Sequence, residues 1–334
     1  MKSFKVRHLA TYIAIFALLY FFKDILPNVP YETLFNTIEN AHNKNVIIKH
    51  VSAKQSEKIF MVIFIPSKPD VVKWRNHVRT KSLNLSSWNY EEFAGVPKEY
   101  LINKVMFVAG KSEENGYSED LLRETSLHED LYLIDTIESA LALNSKLLFA
   151  MRRSIEIYDY SYFIKTDHDT LIDLPNLVHG LTAAPKLNLY TGDCDQKLKS
   201  TPFNGTFDYC RGGGYVISRD LVEKIIQLSD EDIRVPIPFE DGLAGWLVSQ
   251  VVEKHKISGA VIPKHDPLVL KNVADSKKFL FNRWFYHYLK TLPQLDRAYN
   301  CRIRANAVLC PSLQYKYLDQ WKLDGSVRCV CDMH

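Results

Sequence analysis

The 334-residue chain has little net charge, few glycines and prolines, and only one long uncharged segment. Its 42 Lys and Arg against 39 Asp and Glu leave a net charge of +3, too small an excess for a general nucleic-acid-binding protein. Thirteen glycines and 14 prolines exclude a collagen-like or low-complexity chain. The single uncharged segment excludes a multi-span membrane protein. A hydrophobic share of 46% and a charged share of 24% are instead typical of a folded protein.

The uncharged segment, Leu9–Phe22, lies close to the N-terminus. Three cationic residues precede it: Lys2, Lys5 and Arg7. A cleaved signal peptide and a buried terminal helix are alternatives, but bulky residues follow the segment where signal peptidase requires small ones. We therefore expect a signal-anchor transmembrane helix at 9–26, with residues 1–8 in the cytoplasm, because the basic flank lies on the N-terminal side. So short a span predicts a single-pass type II protein of the Golgi membrane, with its catalytic domain in the lumen.

Sequons and cysteines agree with a lumenal location. Asn84 and Asn204 each begin an N-x-S/T glycosylation sequon. Six cysteines, an even number, predict disulfides in an oxidising compartment: Cys194, Cys210, Cys301, Cys310, Cys329 and Cys331. A zinc site formed by Cys329, Cys331 and His334 is the alternative, although the C-x-C spacing is poor for a structural zinc site.

Apolar, β-rich runs alternate with helical patterns from residue 58 onward. The predicted strands are Lys58–Pro66, Lys104–Ala109, Leu131–Ile134 and Tyr160–Lys165. Apolar residues at helical spacing predict a helix over Ser139–Tyr158. The alternation predicts an α/β fold, a mostly parallel sheet with helices on both faces. Residues 27–57 would form a stem, 58–270 the globular domain, and 271–334 a cysteine-containing extension.

Two carboxylates, Asp167 and Asp169, directly follow the last of these strands. Ligands of parallel α/β sheets bind beyond the carboxyl ends of the strands, so both side chains should project toward one crevice. Hard oxygen ligands suit Mg²⁺ or Mn²⁺, which can bridge a diphosphate and neutralise its charge as it departs. A D-x-D pair can also be a solvated acidic turn, but the apolar run before it indicates a strand end.

Two later segments also suggest chemistry. The glycine triplet Gly212–Gly214 lets the backbone approach a ligand closely or adopt positive φ; the alternative is a bulge before a helix over 219–228 that Ser218 caps. Glu240 and Asp241 open another helical stretch, where the helix dipole alone explains acidic residues. One of them could instead be a general base for an acceptor hydroxyl, a role that requires a desolvated pocket.

Taken in order, segments between residues 58 and 268 resemble the β-1,3-glycosyltransferases of the galactosyltransferase type (glycosyltransferase family 31, which includes the Fringe relatives). The matching pieces are Arg75 with Arg79, Lys104–Gly110, Glu124 with Asp130 and Asp135, Phe163–Asp169, Tyr190–Gly192, Gly212–Ser218, and Phe239–Asp241 with Gly245. Three departures stand out. The family's tryptophan is absent after the arginine pair, His168 replaces the middle carboxylate, and Gly242 replaces a β-branched residue.

The resemblance implies a GT-A type fold, a UDP-sugar donor and Mn²⁺ (or Mg²⁺). It implies three metal ligands: Asp167, Asp169 and His265. The alternative for His265 is an ordinary surface residue. It further implies that the donor is bound by Arg75, Arg79, Lys165, Asp167, Gly213 and Gly214. The two arginines would either meet the uridine diphosphate or shape its pocket. Asp241 is the implied base, and Glu240 is the second choice.

We therefore expect an inverting, metal-dependent transferase that moves a hexose, with galactose as the first expectation, in β-1,3 linkage. Its partners would be the UDP-sugar, a glycan on a glycoprotein or glycolipid, and a membrane. One alternative keeps the fold but uses UDP-N-acetylglucosamine or another donor. Another is a catalytically silent lumenal glycan-binding protein or chaperone, which the loss of a metal carboxylate would favour; Asp167 and Asp169 are both retained. A phosphoryl-transfer enzyme would require a G-x-x-x-x-G-K-[ST] loop, which the sequence lacks.

Overall fold

The computed structural model describes residues 57–257, apart from 89, 115, 193, 195, 201–204 and 231–236, and also 285–286, 291–304, 321–323 and 329–331. The expected signal-anchor helix, nearly all of the stem, Asn204 and His265 lie outside these residues. No helix in the described ranges combines the length and the apolar composition that crossing a bilayer requires.

The described part of the chain contains strands and helices that alternate over its first half. The strands are β1 (Glu57–Lys58), β2 (Met61–Ser67), β3 (Asn103–Lys111), β4 (Leu131–Ile137), β5 (Tyr158–Asp159), β6 (Tyr162–Thr166), β7 (Leu171–Ile172), β8 (Tyr190–Gly192), β9 (Gln196–Ser200), β10 (Gly205–Tyr209), β11 (Gly214–Ser218), β12 (Phe285–Tyr286), β13 (Trp321–Leu323) and β14 (Cys329–Cys331). The helices are α1 (Val72–His77), α2 (Glu119–Leu127), α3 (Ala142–Ile157), α4 (Leu174–Ala183), α5 (Arg219–Ser229), α6 (Glu240–His255) and α7 (Leu292–Arg304).

A six-stranded mixed sheet in the order β4-β3-β2-β6-β11-β8 forms the centre of the fold. Strands β4, β3, β2 and β6 run parallel, which confirms the predicted mostly parallel sheet. Strand β11 is antiparallel to both of its neighbours, β6 and β8. The β9–β10 hairpin, rather than a crossover helix, connects β8 to β11, and such a connection suits an antiparallel pair.

Helices cover both faces of this sheet, so its central strands are buried on both sides. Every residue of β2 is buried, which explains why this strand reads as a continuous apolar run. Alternate residues point to opposite faces: Ile63 and Ile65 pack with α4 and α7, whereas Val62 and Phe64 pack with α3, α5 and α6. The predicted helix over 139–158 is confirmed as α3.

The segment after β11 differs from its prediction in one detail. Helix α5 begins directly after Ser218, as expected, but the Ser218 side chain makes no capping hydrogen bond. Its hydroxyl instead donates to Asp220 Oδ1 at 2.6 Å and accepts from the Leu189 N–H at 2.9 Å. Ser218 therefore occupies the N-cap position as predicted, but its hydroxyl joins β8 to α5 and does not cap the helix.

A disulfide joins Cys194, after β8, to Cys210, after β10. Both cysteines are buried, and between them lies the β9–β10 hairpin. One of the predicted disulfides is thus present; the side chains of the other four cysteines lie outside the described part of the chain. The bond anchors the segment that leads into Arg211–Gly214, the turn that the candidate site uses.

Candidate functional site

A cavity of about 830 Å³ opens at the carboxyl ends of the parallel strands. Its wall includes residues 66–70 at the end of β2, residues 138–140 after β4 and residues 167–169 after β6. The carboxyl edge of a parallel α/β sheet is the usual location of a ligand site, and the sequence predicted the carboxylate pair to lie there.

Asp167 and Asp169 both line this cavity, as the D-x-D segment predicted. Strand β6 is fully buried up to Thr166, and the chain then turns, with the Thr170 N–H donating to the Asp167 carbonyl at 3.2 Å. The Asp169 residue is buried, whereas the Asp167 side chain is 27% exposed. Between them, the His168 ring meets Trp74 edge to face at 5.2 Å and also lines the cavity.

Lys165, the last-but-one residue of β6, holds a buried ammonium group beside these carboxylates. Its Nζ donates to Asp167 Oδ1 at 2.9 Å and to the Gly212 carbonyl at 2.5 Å, and it lies 2.8 Å from Glu240 Oε2. Burial alone would lower the pKa of Lys165, but the carboxylates of Glu240 and Asp167 outweigh it and raise the pKa. Lys165 therefore carries its positive charge at neutral pH.

Glu240 is buried behind this lysine at the first position of α6. Its Oε1 accepts a short hydrogen bond from the Tyr215 hydroxyl, and its Oε2 pairs with Lys165. Burial raises the pKa of Glu240, although Lys165 and Tyr215 oppose this effect. With 4% of its surface exposed and both oxygens engaged, Glu240 is positioned as a counter-ion, and this geometry argues against its second-choice role as a base.

Asp241, the next residue, is partly exposed. Its Oδ2 accepts the Gly212 N–H at 2.9 Å, and its Oδ1 accepts the Gly242 N–H at 2.9 Å. A Cβ atom built on Gly212 would lie 3.5 Å from Asp241 Oδ2 and 3.8 Å from Asp167 Oδ2. Asp241 and Asp167 therefore share one small region around this glycine.

The glycine turn, Arg211–Gly214, connects the two sides of this region. The Gly214 N–H donates to the Arg211 carbonyl at 3.3 Å, and the Gly213 carbonyl accepts from Thr166 Oγ1 at 3.0 Å. Within the described residues, the glycines with positive φ are Gly95 and Gly116, and neither belongs to the triplet. The positive-φ interpretation is therefore wrong. A Cβ built on Gly212 would lie 3.1 Å from Lys165 Nζ, so this glycine allows the turn to lie close to the lysine, and approach to a ligand stays a prediction.

The two arginines shape the cavity from behind. The buried Arg75 donates to both Glu124 oxygens, to Ser67 Oγ, and to the carbonyls of Lys68 and Pro69. These bonds engage all five of its donors and fix the cavity wall at the end of β2.

Arg79 makes similar contacts: it donates to Glu124 and to both Asp130 oxygens, and its guanidinium lies over the Phe107 ring at 5.0 Å. Of the two sequence alternatives, the geometry favours pocket shaping over direct contact with a nucleotide.

Sequence reasoning missed Tyr215, Glu138 and Lys146. The buried Lys146 Nζ donates to both Glu138 oxygens, at 2.6 and 2.8 Å, and to the Ser67 carbonyl at 2.8 Å. Burial outweighs Glu138 and lowers the pKa of Lys146. A lysine on the apolar side of α3 was the available signal, since Leu147 and Ala150 on the same helix are buried.

The carboxylates at the cavity fit a hard divalent cation. No group of three or more His, Cys, Asp or Glu side chains surrounds a common metal position within the described residues. Asp167 and Asp169 offer two oxygen donors beside a cavity, and ions such as Mg²⁺ fill their remaining positions with water and substrate phosphates. The donor chemistry therefore suits Mn²⁺ or Mg²⁺. The third expected ligand, His265, lies outside the described residues.

A family model for the galactosyltransferases matches residues 85–258, just over half of the chain. The chain belongs to the galactosyltransferase family. The match includes Asp167, Asp169, the glycine turn and Asp241, so the resemblance seen in the sequence is confirmed.

Named relatives transfer three different sugars. Lactosylceramide 1,3-N-acetyl-β-D-glucosaminyltransferase A of Danio rerio is 24% identical over 52% of this chain and 50% of its own length. β-1,3-Galactosyltransferase 6 of Mus musculus is 26% identical over 65% of this chain and 66% of its own length. UDP-GalNAc:β-1,3-N-acetylgalactosaminyltransferase 1 of Homo sapiens is 29% identical over 56% of this chain and 58% of its own length. The chain thus spans about half to two-thirds of the length of the relatives it matches.

Solved structures resemble the chain only distantly. A mannosyltransferase from Pyrobaculum calidifontis in complex with GDP-Man and Mn²⁺ is 15% identical over 65% of this chain and 56% of its own, with a TM-score of 0.26. The galactosyltransferase LgtC in complex with donor and acceptor sugar analogues is 11% identical over 57% of this chain and 70% of its own, with a TM-score of 0.31. The description of the fold therefore depends on the strand order of this chain itself.

Proposed function

We propose that the chain is a GT-A type, inverting β-1,3-glycosyltransferase that takes a hexose from a UDP-sugar and transfers it to a glycan hydroxyl. The observation that most directly supports this proposal is that Asp167, at the cavity, and Asp241, at the start of α6, both approach Gly212. Such an arrangement brings a site for the donor's pyrophosphate next to a carboxylate that can accept a proton. Family membership supports this reaction class.

The reaction is a single displacement at the anomeric carbon of the donor. The acceptor oxygen forms a bond to this carbon from the face opposite UDP, the bond to the phosphate oxygen breaks, and UDP leaves with the bonding electrons. Asp241 receives the proton of the acceptor hydroxyl. A divalent ion bound by Asp167 and Asp169 would supply Lewis-acid stabilisation of the charge on the departing diphosphate.

Asp241 is a better candidate base than Glu240 because it is partly exposed, whereas Glu240 is buried. The two Asp241 oxygens accept the Gly212 and Gly242 N–H groups, which orient the carboxylate. Glu240 lacks access to an acceptor because Lys165 and Tyr215 engage its oxygens.

The donor sugar is proposed to be galactose, and N-acetylglucosamine is the second candidate. The named relatives divide among galactose, N-acetylglucosamine and N-acetylgalactosamine, so their names support the β-1,3 linkage more than any one donor. We place the enzyme in the Golgi membrane as a single-pass type II protein that acts on lumenal glycoproteins or glycolipids. This location is supported by the basic residues that flank the uncharged segment.

Product analysis tests the proposed reaction. The full-length protein, solubilised in detergent, is incubated with Mn²⁺, one UDP-sugar at a time (UDP-galactose, UDP-N-acetylglucosamine, UDP-N-acetylgalactosamine or UDP-glucose), and p-nitrophenyl β-glycoside acceptors. We expect a product one hexose heavier by mass spectrometry, with a β-1,3 linkage by NMR. A product with retained anomeric configuration would contradict the single displacement, and the absence of any product would contradict the transferase assignment.

A further inference from the structure

Lys165 joins parts of the site that lie on different elements of the fold. Its buried ammonium contacts Asp167 after β6, the Gly212 carbonyl in the glycine turn, and Glu240 at the start of α6. The proposed chemical step does not use this cation directly. Its three partners nevertheless include a carboxylate assigned to the metal and the residue just before the proposed base.

A short path leads from Lys165 to Asp241. Lys165 holds Gly212 through the carbonyl, and the N–H of the same Gly212 donates to Asp241 Oδ2 at 2.9 Å. Thr166 Oγ1 adds a second bond to the turn, at the Gly213 carbonyl. The position of Asp241 is thus tied to β6 through one glycine, although the Lys165 side chain does not contact Asp241 in any of these bonds.

We infer that Lys165 is a positioning residue, which fixes the glycine turn so that the Gly212 N–H holds Asp241 in line with the donor site. This inference rests on the proposed function, because it assigns Asp241 a geometric requirement. Misplacement of a catalytic group by about 1 Å can reduce a rate by about 100-fold. Removal of Lys165 should therefore reduce the turnover number far more than it weakens the binding of the donor.

A purely structural role for the Lys165–Glu240 pair is the competing explanation. Loss of one member of a buried ion pair leaves an uncompensated charge and is strongly destabilising, whereas replacement of both by neutral groups is often tolerated. The variants Lys165→Met and Lys165→Met/Glu240→Gln separate the two roles. The double variant should recover thermal stability if the pair matters to the fold only through its charges, but it cannot restore the bond to the Gly212 carbonyl.

The experiment measures the melting temperature, kcat and the donor KM for the full-length protein, together with amide hydrogen exchange over the glycine turn. We expect the double variant to melt close to the wild type, to lose about 100-fold in kcat with the donor KM within about fivefold, and to exchange the Gly212 amide faster. Lys224→Met is the matched control, because it removes a lysine of a salt bridge on α5, away from the candidate site. Its kcat should remain close to that of the wild type.

Two outcomes would overturn the inference. One is a double variant whose kcat returns to within about threefold of the wild type, and the other is an unchanged exchange rate at Gly212. Should Lys165→Met not fold, Thr166→Val still tests the turn, since it removes only the bond to Gly213; unchanged kcat and exchange in that variant would also count against the inference. A wild-type protein that acts on no UDP-sugar would refute the proposed function, and amide exchange would still report on the turn.

Discussion

Asp167 and Asp241 both approach the same glycine, Gly212. Asp241 Oδ2 accepts the Gly212 N–H, while Asp167 Oδ2 lies 3.8 Å from the position of a Cβ on that residue. Strand β6 brings one carboxylate to this point and helix α6 brings the other. The predictions below follow from assigning the metal to the first of these carboxylates and the acceptor proton to the second.

Asp241→Asn should lower kcat by about 1,000-fold, because an amide cannot take the acceptor proton. Binding of UDP in the presence of Mn²⁺ should remain within about threefold, since Asp241 receives the acceptor proton and does not hold the nucleotide. Steady-state kinetics and calorimetry measure the two quantities. Glu253→Gln, an exposed change near the end of the same helix, is the control. Nearly normal turnover in Asp241→Asn would remove this residue from the role of base.

Asp169→Asn should abolish the part of UDP binding that depends on Mn²⁺. The buried carboxylate is one of two hard-oxygen donors at the cavity, and an amide is a much weaker ligand for such an ion. Titration of UDP with Mn²⁺ and with chelator shows the difference. Asp120→Asn, at an exposed position on α2, should behave as the wild type does. If Asp169→Asn kept full Mn²⁺-dependent binding, the metal would have to lie elsewhere.

Glu124 should make the fold sensitive to acid. Burial would raise its pKa, but hydrogen bonds from Arg75 and Arg79 outweigh this effect and lower the pKa below 4.5. A carboxylate whose pKa is lower in the folded state than in the unfolded state stabilises the fold at any pH above its unfolded-state pKa. This contribution is lost as the pH falls through the folded-state pKa. Glu124→Gln should therefore be less stable than the wild type at pH 7. Between about pH 5 and pH 3 it should lose less stability than the wild type does. Denaturant unfolding at several pH values measures this; parallel curves would contradict it.

Gly242→Val should destabilise the protein. A Cβ at this position would lie 2.1 Å from Phe239 Cε2, so the Phe239 ring occupies the space that a β-branched residue would need. Forced displacement of a packed ring typically costs about 1–3 kcal/mol. Thermal unfolding measures the loss, and the double variant Phe239→Ala/Gly242→Val should recover part of it. A fully stable Gly242→Val would show that the ring is not held in this position.

The strands and the carboxylate pair could be predicted from the sequence because their signals are local. Strand β2 is buried on both faces and reads as one apolar run, and Asp167 and Asp169 follow the similar run of β6. The partners of Arg75, Lys165 and Glu240 depend on contacts between distant segments, which local patterns do not encode. Adjacent helical residues point about 100° apart, so packing alone determined that Glu240 is buried and Asp241 partly exposed.

The antiparallel direction of β11 has the same origin. The Gly212–Ser218 segment predicted a β-rich run but not its neighbours, which pairing with β6 and β8 establishes. Likewise, the Ser218 hydroxyl was available as a helix cap until the tertiary fold brought the Leu189 N–H to it. In both cases the type of element was predictable and its partner was not.

The rate of UDP release from UDP-galactose, with a β-glycoside acceptor, tests the central claim most directly. It is measured for the full-length protein in Mn²⁺ and again after addition of excess EDTA. We predict acceptor-dependent release of UDP in Mn²⁺ and its loss on chelation, with recovery when Mn²⁺ is restored. Release that continues unchanged in EDTA would contradict the assignment of Asp167 and Asp169 as metal ligands.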